Sequence, residues 1–308
     1  MKVLVIDHIH GILQEVLEAQ GHECLDMSDA PESEIKMALP FAEILVMRSR
    51  IQINADIIRS CPNLKVIARA GAGLEHIDVA SAEEQGIKVL SSPEGNRQSV
   101  AEHAIGMLLT LLNRIHLADA QVRSGHWSRV ENKGIELAGK TIGIIGYGNT
   151  GAAFSKILEG FGVHILAFDK YKEGHAYEST MAEIFESADF VSLHLPLTEE
   201  TMGLVSHDWF GKFQNPIYLI NTSRGQIVKT DDMLTAIEDG QVRGACLDVL
   251  EYETENLKMP SLSSLPSAAS RLMQEKRVIL TPHTAGLSDE SYYKLSSILA
   301  EKILATIR

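Results

Sequence analysis

Residues 134–151 of this 308-residue chain contain two overlapping phosphate-binding strings that imply different chemistry. Gly134 to Thr141 spells G-x-x-x-x-G-K-T, the pattern of a nucleoside-triphosphate P-loop. Gly146, Gly148 and Gly151 spell G-x-G-x-x-G, the pattern of a dinucleotide site. A P-loop needs a strand before its glycines and a helix opening at the Lys-Thr, so that backbone amides surround the phosphates. Lys140 and Thr141 instead lead into the β-branched run TIGII, which reads as a strand, and the P-loop is set aside. The second string has that strand in front of it and a helical pattern, AAFSKILEGF, behind. Gly146 permits the tight turn, Gly148 lets a pyrophosphate approach backbone, and Gly151 lets helix pack on strand. Tyr147, Asn149 and Thr150 complete the loop, and the helix N-terminus favours the negative charge.

The next strand-like run, VHILAFD, ends in Asp169. A carboxylate there accepts hydrogen bonds from a ribose with both hydroxyls free and repels a 2′-phosphate, which favours NAD over NADP. Lys170 and Lys172 work against that preference.

The elements around this loop alternate twice. KVLVI, EILVM, LKVIA and IKVL alternate with helix-patterned segments such as GILQEVLEAQ and DVASAEEQ. Apolar runs with few polar interruptions suit strands covered on both faces, and the alternation predicts parallel sheets with right-handed crossovers. SVAEHAIGMLLTLLNRIHLADAQV predicts one long helix, opened by a capping box of Ser99 and Glu102. It is apolar on most faces, so it is expected to be buried between domains or subunits. Six further runs, TIGIIGYG, VHILAFD, FVSLHLP, IYLINTS, GACLDVL and RVILTPH, read as strands. Residues 254–276, rich in serine, read as an exposed loop or short lid, and the chain ends in an amphipathic helix.

The length predicts two domains. Hydrophobic residues make up 45% and charged residues 22%, as in ordinary globular proteins. A net charge of −13 argues against binding nucleic acid or an anionic membrane. The three cysteines lack metal-ligand spacing, so no metal is expected and unpaired thiols suit a reducing compartment. No secretory leader or membrane span is read, and the expected location is the cytoplasm.

Together with RSR at 48–50, RAGAGLEHID at 69–78, PEGNRQSVAEH at 93–103, HLPLTEET at 194–201, NTSRG at 221–225, LDVLEYE at 247–253 and TPHTAG at 281–286, these blocks carry a resemblance over nearly the whole chain. The chain resembles the D-isomer-specific 2-hydroxyacid dehydrogenases, particularly their phosphoglycerate branch. The resemblance implies an α/β fold of two doubly wound parallel-sheet domains. A Rossmann NAD-binding domain (96–283) is inserted into a flavodoxin-like substrate domain (1–95 and 284–308).

It also implies that Arg224, Glu253 and His283 are catalytic. Oxidising a secondary alcohol by hydride transfer needs a base near the hydroxyl, and imidazole suits it. A carboxylate at Glu253 would fix the tautomer, and a planar guanidinium at Arg224 would hold the substrate carboxylate and keto oxygen. Asp248 would bind the nicotinamide amide, Thr222 and Ser223 would meet the cofactor, and His194, Pro196 and Thr201 would line the adenosine side. Gly71, Ala72 and Gly73 would offer backbone amides to the substrate carboxylate as a nest. Arg48, Arg50 and Asn96 belong with the substrate, and Arg129 and Lys133 would approach its phosphate, across the interface of a homodimer built on the NAD-binding domain.

The implied activity is NAD-dependent oxidation of a small anionic D-2-hydroxy acid, with D-3-phosphoglycerate favoured. A hydroxypyruvate or glyoxylate reductase is the nearest alternative, and an NADH-sensing corepressor-like protein is the alternative of another class. Asn149-Thr150 stands where the family has a basic residue and Ile, and Thr254 replaces a proline after Glu253. The chain stops after the two-domain core, so feedback through a C-terminal regulatory domain is not expected.

Overall fold

The computed structural model describes residues 1–254 and 259–307, and the chain divides into two compact units. The first takes in residues 1–97 and resumes at Leu287; the second holds most of the chain between.

The first unit runs β1 (Lys2–Val5), α1 (Ile12–Glu18), β2 (Glu23–Asp26), α2 (Glu32–Ala38), β3 (Ile44–Met47), α3 (Ala55–Arg59), β4 (Val66–Arg69), α4 (Val79–Glu84) and β5 (Lys88–Ser91). Its sheet is wholly parallel, ordered β2-β1-β3-β4-β5, the order of flavodoxin-like folds. Side chains alternate along each strand, and both faces are apolar. Leu4, Leu45 and Ile67 join Ile35, Ile58 and Ala82 from α2, α3 and α4 in one core. Val3, Ile44, Val46 and Val66 face Leu13 and Leu17 of α1 in the other. The final helix also closes that second core.

The second unit opens with α5 (Arg97–Leu112) and α6 (Ile115–Arg123), then continues β6 (Thr141–Ile145), α7 (Asn149–Leu158), β7 (His164–Phe168), α8 (Met181–Ser187), β8 (Phe190–Leu193), α9 (His207–Phe210), β9 (Ile217–Asn221), α10 (Thr230–Glu238), β10 (Val242–Leu247), α11 (Ser267–Gln274) and β11 (Val278–Leu280). The chain then returns to the first unit with α12 (Asp289–Ile307), whose Leu299 and Ile303 pack beside α1. The second sheet is also parallel, ordered β11-β10-β9-β8-β6-β7. Strand order reverses between β6 and its neighbours β7 and β8, and the glycine loop leaves β6 at that switch point, where open α/β sheets form their binding crevices. Its two faces are again both covered, Val191, Leu219 and Ala245 on one side, Ile144, Phe190 and Ile220 on the other.

Three expectations are corrected. The helix expected from Ser99 is two helices, divided where Arg114 takes a left-handed φ of 51°. The apolar residues of α5 pack into the second unit's own core, while α6 buries none of its side chains. There is no capping box: α5 already begins at Arg97, and Glu102 accepts a bond from Gln98 Nε2 at 2.7 Å. Residues 254–276 are not simply a loop, because α11 buries Ala268, Ala269 and Leu272; residues 255–258 of that stretch lie outside the described residues. Among the described residues no helix is long and apolar enough to cross a membrane, and no cluster of His, Cys, Asp or Glu has the makings of a metal site. The cysteines are free, and burial pushes the Cys24 thiol up to about 11.

Candidate active site

Strands β9, β10 and β11 are adjacent, and Leu247 is in register with both Asn221 and Leu280. The chain segments that carry Arg224, Glu253 and His283 therefore leave the sheet at one level, past its carboxyl ends. Asn221, fully buried, shapes the first exit. Its Oδ1 accepts from Ser223 N (3.0 Å) and Ser223 Oγ (2.8 Å), and its Nδ2 donates to Arg224 O (2.9 Å). Arg224 Nη1 donates to Ser223 O at 2.7 Å. The next residue must be glycine, because a Cβ on Gly225 would lie 2.0 Å from the carbonyl carbon of Leu250. That approach seats the Arg224 segment on the turn leading to Glu253.

Glu253 uses both carboxylate oxygens. Oε1 accepts from Leu250 N at 2.5 Å, and Oε2 lies 2.6 Å from His283 Nδ1. A carboxylate only accepts, so Nδ1 donates and Nε2 is left to exchange a proton. His283 itself has φ 55°, a left-handed conformation that costs a side-chain-bearing residue about 1–3 kcal/mol and needs support. Asp248, 1% exposed, provides it. The Asp248 carbonyl accepts from His283 N (2.7 Å), its Oδ1 from Thr284 N (2.9 Å) and Thr281 Oγ1 (2.6 Å), and its Oδ2 from Ala285 N (2.8 Å). The turn thus claims most of the carboxylate expected to serve the nicotinamide; Oδ2, with one close donor among the described residues, keeps a lone pair.

The glycine loop has the shape a dinucleotide requires. Gly146 turns with φ 95°, and a Cβ there would meet His194 O at 2.3 Å. A Cβ on Gly151 would sit 2.1 Å from Gly146 O. Over Gly148, by contrast, no atom lies within 4 Å of the Cβ position, and no side chain caps α7. Open space above the second glycine and uncapped amides behind it are what a pyrophosphate fits. α7 starts at Asn149, so Asn149, Thr150 and Gly151 form its first turn. Asp169 Oδ2 accepts from Tyr147 N at 2.7 Å, and its Oδ1 accepts from Tyr171 N and Lys172 N, which fixes the carboxylate beside the loop. Lys170 is paired with Glu200 at 2.5 Å, and Lys172 donates to Tyr147 O at 3.3 Å.

Several expected cofactor contacts turn inward. His194 bonds Ser192 Oγ (2.9 Å) and Thr150 Oγ1 (3.1 Å), and burial pushes its imidazole down to about 3, so it is neutral and braces the loop through Thr150. Thr201 Oγ1 donates to Pro196 O at 2.7 Å within its own turn, and the Ser223 hydroxyl is given to Asn221. Thr222 differs: its buried Oγ1 has no partner among the described residues and suits a bound group.

In the first unit, Arg48 follows β3 and carries its guanidinium 6.0 Å over the Tyr292 ring. Both line a cavity of about 270 Å³ with Leu287, Asp289 and Leu295. Arg50 is corrected: its guanidinium donates to the carbonyls of Ile6, Ser28 and Ala30 and anchors that loop instead of being left for an anionic substrate. None of Gly71, Ala72 and Gly73 has a positive φ, and Gly71 N already donates to Arg69 O at 2.9 Å. Charge at this loop comes from Arg69, a residue the motif contains and the expectation omits. Arg69 is 8% exposed, and its Nη1 would lie 2.6 Å from a Cβ on Gly71. Asn96 Oδ1 and Ser92 Oγ are buried without partners among the described residues, and Ser92 N donates to Gly71 O. Arg129 and Lys133 are exposed on the second unit, in the segment after α6, with no ion-pair partner among the described residues.

Residues 105–285 match the family described as "D-isomer specific 2-hydroxyacid dehydrogenase, NAD binding domain". The chain is 33% identical to a D-3-phosphoglycerate dehydrogenase of Archaeoglobus fulgidus over 99% of its own length and 57% of that protein's. It is 35% identical to a hydroxypyruvate reductase of Thermotoga maritima, over 88% of this chain and 87% of that one. Among solved structures, a D-lactate dehydrogenase from Aquifex aeolicus, complexed with NAD and lactic acid, superposes with a TM-score of 0.81 at 28% identity, covering 100% of this chain and 95% of that one. The chain belongs to the D-isomer-specific 2-hydroxyacid dehydrogenase family, and its second unit is that family's NAD-binding domain. It spans little more than half the length of the phosphoglycerate dehydrogenase it resembles.

Proposed function

We propose that the protein is an NAD-dependent oxidoreductase that interconverts a D-2-hydroxy acid and its 2-keto acid, with D-3-phosphoglycerate as the favoured substrate. The 2.6 Å contact between Glu253 and His283 carries this reading, because it leaves one imidazole nitrogen poised for proton exchange. NAD held at the glycine loop would supply the hydride acceptor for C2 of the alcohol. His283 Nε2 takes the hydroxyl proton as the carbonyl forms, and Glu253 holds the ring and balances the imidazolium. Arg224 pairs with the substrate carboxylate and orients the oxygen on C2. Gly146, Gly148 and the amides of Asn149, Thr150 and Gly151 would hold its pyrophosphate. Asp169 would accept from the ribose, Thr222 would meet the cofactor, and the Asp248 Oδ2 lone pair would be left for the carboxamide.

The first unit is the substrate domain in this reading. Arg48, whose guanidinium has no carboxylate partner among the described residues, supports a distal anionic group, as do Arg129 and Lys133. The test compares kcat/KM for 3-phosphohydroxypyruvate and hydroxypyruvate. A charged hydrogen bond at Arg48 corresponds to a preference of about 10–100-fold for the phosphorylated acid, lost in Arg48→Ala. Equal use of both acids by the wild type would turn the assignment to a hydroxypyruvate reductase.

A homodimer through the second unit is part of the proposal. Ile115, Val122, Trp127, Val130 and Ile135 are exposed within a short stretch, Trp127 at 80% and Val130 at 88%, an apolar surface that a second copy would cover. Sedimentation should give a dimer for the wild type and a monomer for a Trp127→Asp, Val130→Asp double variant.

A further inference from the structure

The left-handed His283 turn is also held from outside the strand ends. Ser99 and His103 lie four residues apart on α5, hence on one face of that helix. Ser99 Oγ donates to Ala285 O at 2.7 Å. His103 Nε2 lies 3.0 Å from Thr281 Oγ1 and 3.5 Å from Asp248 Oδ1. Thr281 has one hydroxyl proton, and the 2.6 Å bond to Asp248 uses it. Its oxygen must therefore accept from the imidazole, so His103 carries its hydrogen on Nε2. Both flanks of the turn, Thr281 and Ala285, are thereby fastened to α5, with His283 between them.

We infer that Ser99 and His103 form a positioning clamp that holds the His283 turn in its left-handed form. Neither residue touches a reacting atom; each acts through the turn. The inference rests on the reading of His283 as the proton-exchanging group, so its test includes a readout that does not depend on turnover.

His103→Phe removes the donor but fills the site, whereas His103→Gln returns an N–H at comparable reach. Hydrogen–deuterium exchange across residues 278–286, kcat and NADH affinity are measured in both. In the Phe variant exchange should quicken and kcat should fall about tenfold, with NADH affinity within about threefold of the wild type. The Gln variant should recover both. Ser99→Ala, which deletes one hydrogen bond, should quicken exchange in the same peptide and supplies the test if the Phe variant does not fold. Unchanged exchange in a folded Phe or Ala variant would overturn the clamp, as would failure of Gln to restore slow exchange. Faster exchange with unchanged kcat would leave the clamp standing and overturn the role given to His283.

Discussion

Glu253 Oε2 and His283 Nδ1 meet at 2.6 Å although 30 residues separate them in the chain. The other Glu253 oxygen takes the Leu250 amide, so both oxygens face donors. Glutamine at this position can keep its oxygen on Leu250 N, but its NH₂ then faces His283 Nδ1, which must accept, so the ring carries its hydrogen on Nε2 and cannot take a proton there. Glu253→Gln is therefore expected to lower kcat at least about 10–100-fold through the wrong tautomer, while stability changes by less than about 1 kcal/mol because every donor keeps a partner. Steady-state kinetics and urea denaturation check the two effects separately.

Gly148 and Gly151 separate the folding and binding duties of the glycine loop. A methyl at Gly151 would collide with Gly146 O at 2.1 Å, whereas one at Gly148 would meet nothing within 4 Å. Gly151→Ala should lower the melting temperature and abolish NADH binding. Gly148→Ala should leave melting unchanged and weaken NADH binding about tenfold or more, because the methyl occupies the space left for the pyrophosphate. Equal NADH affinity in Gly148→Ala and the wild type would remove the pyrophosphate from that position.

Asp169 is expected to govern the choice of cofactor. Loss of a charged acceptor for the ribose hydroxyls corresponds to about 10–100-fold in NADH affinity. Asp169→Ala should weaken NADH binding by that factor and shift the kcat/KM ratio toward NADPH, since Lys172 no longer has the carboxylate as a neighbour. Fluorescence titration with both cofactors reads the change; an unaltered ratio would count against the role.

His194 makes stability depend on pH in a definite direction. Burial holds the folded imidazole down at about 3, while the unfolded ring titrates near its usual 6.5. Between those values the unfolded state binds the extra proton, so stability is lost as pH falls below about 6.5, by about 1.4 kcal/mol per unit from this group. Trp209, buried in the second unit's core, reports its unfolding once exposed Trp127 is replaced by Phe. In that background His194→Gln should be destabilised at pH 7, and the difference from His194 should shrink as pH falls. A difference independent of pH would mean the imidazole is not buried neutral.

The strands of the second sheet were legible because each is a short apolar run, covered on both faces. β2 escaped because Glu23, Leu25 and Asp26 of this edge strand are exposed, leaving no such run. α11 escaped because proline and serines surround it and it buries only two alanines and a leucine. The break at Arg114 has no glycine or proline to announce it. The motifs identified which residue types gather at the strand ends, but not which polar groups are already committed. Arg50, Thr201 and Ser223 spend their donors on neighbouring groups, and Asn221, Ser99 and His103 gain their tasks only through partners that folding brings near.

The most direct test follows NADH consumption against a panel of 2-keto acids, for the wild type and for His283→Asn. Asparagine tolerates the left-handed backbone at this position, so the variant keeps the turn while losing the imidazole. The wild type should reduce at least one of these acids to the D-alcohol, and the variant should do so about 10²–10⁴-fold more slowly while binding NADH with similar affinity. Full activity in the variant, or an L-alcohol product from the wild type, would contradict the assignment.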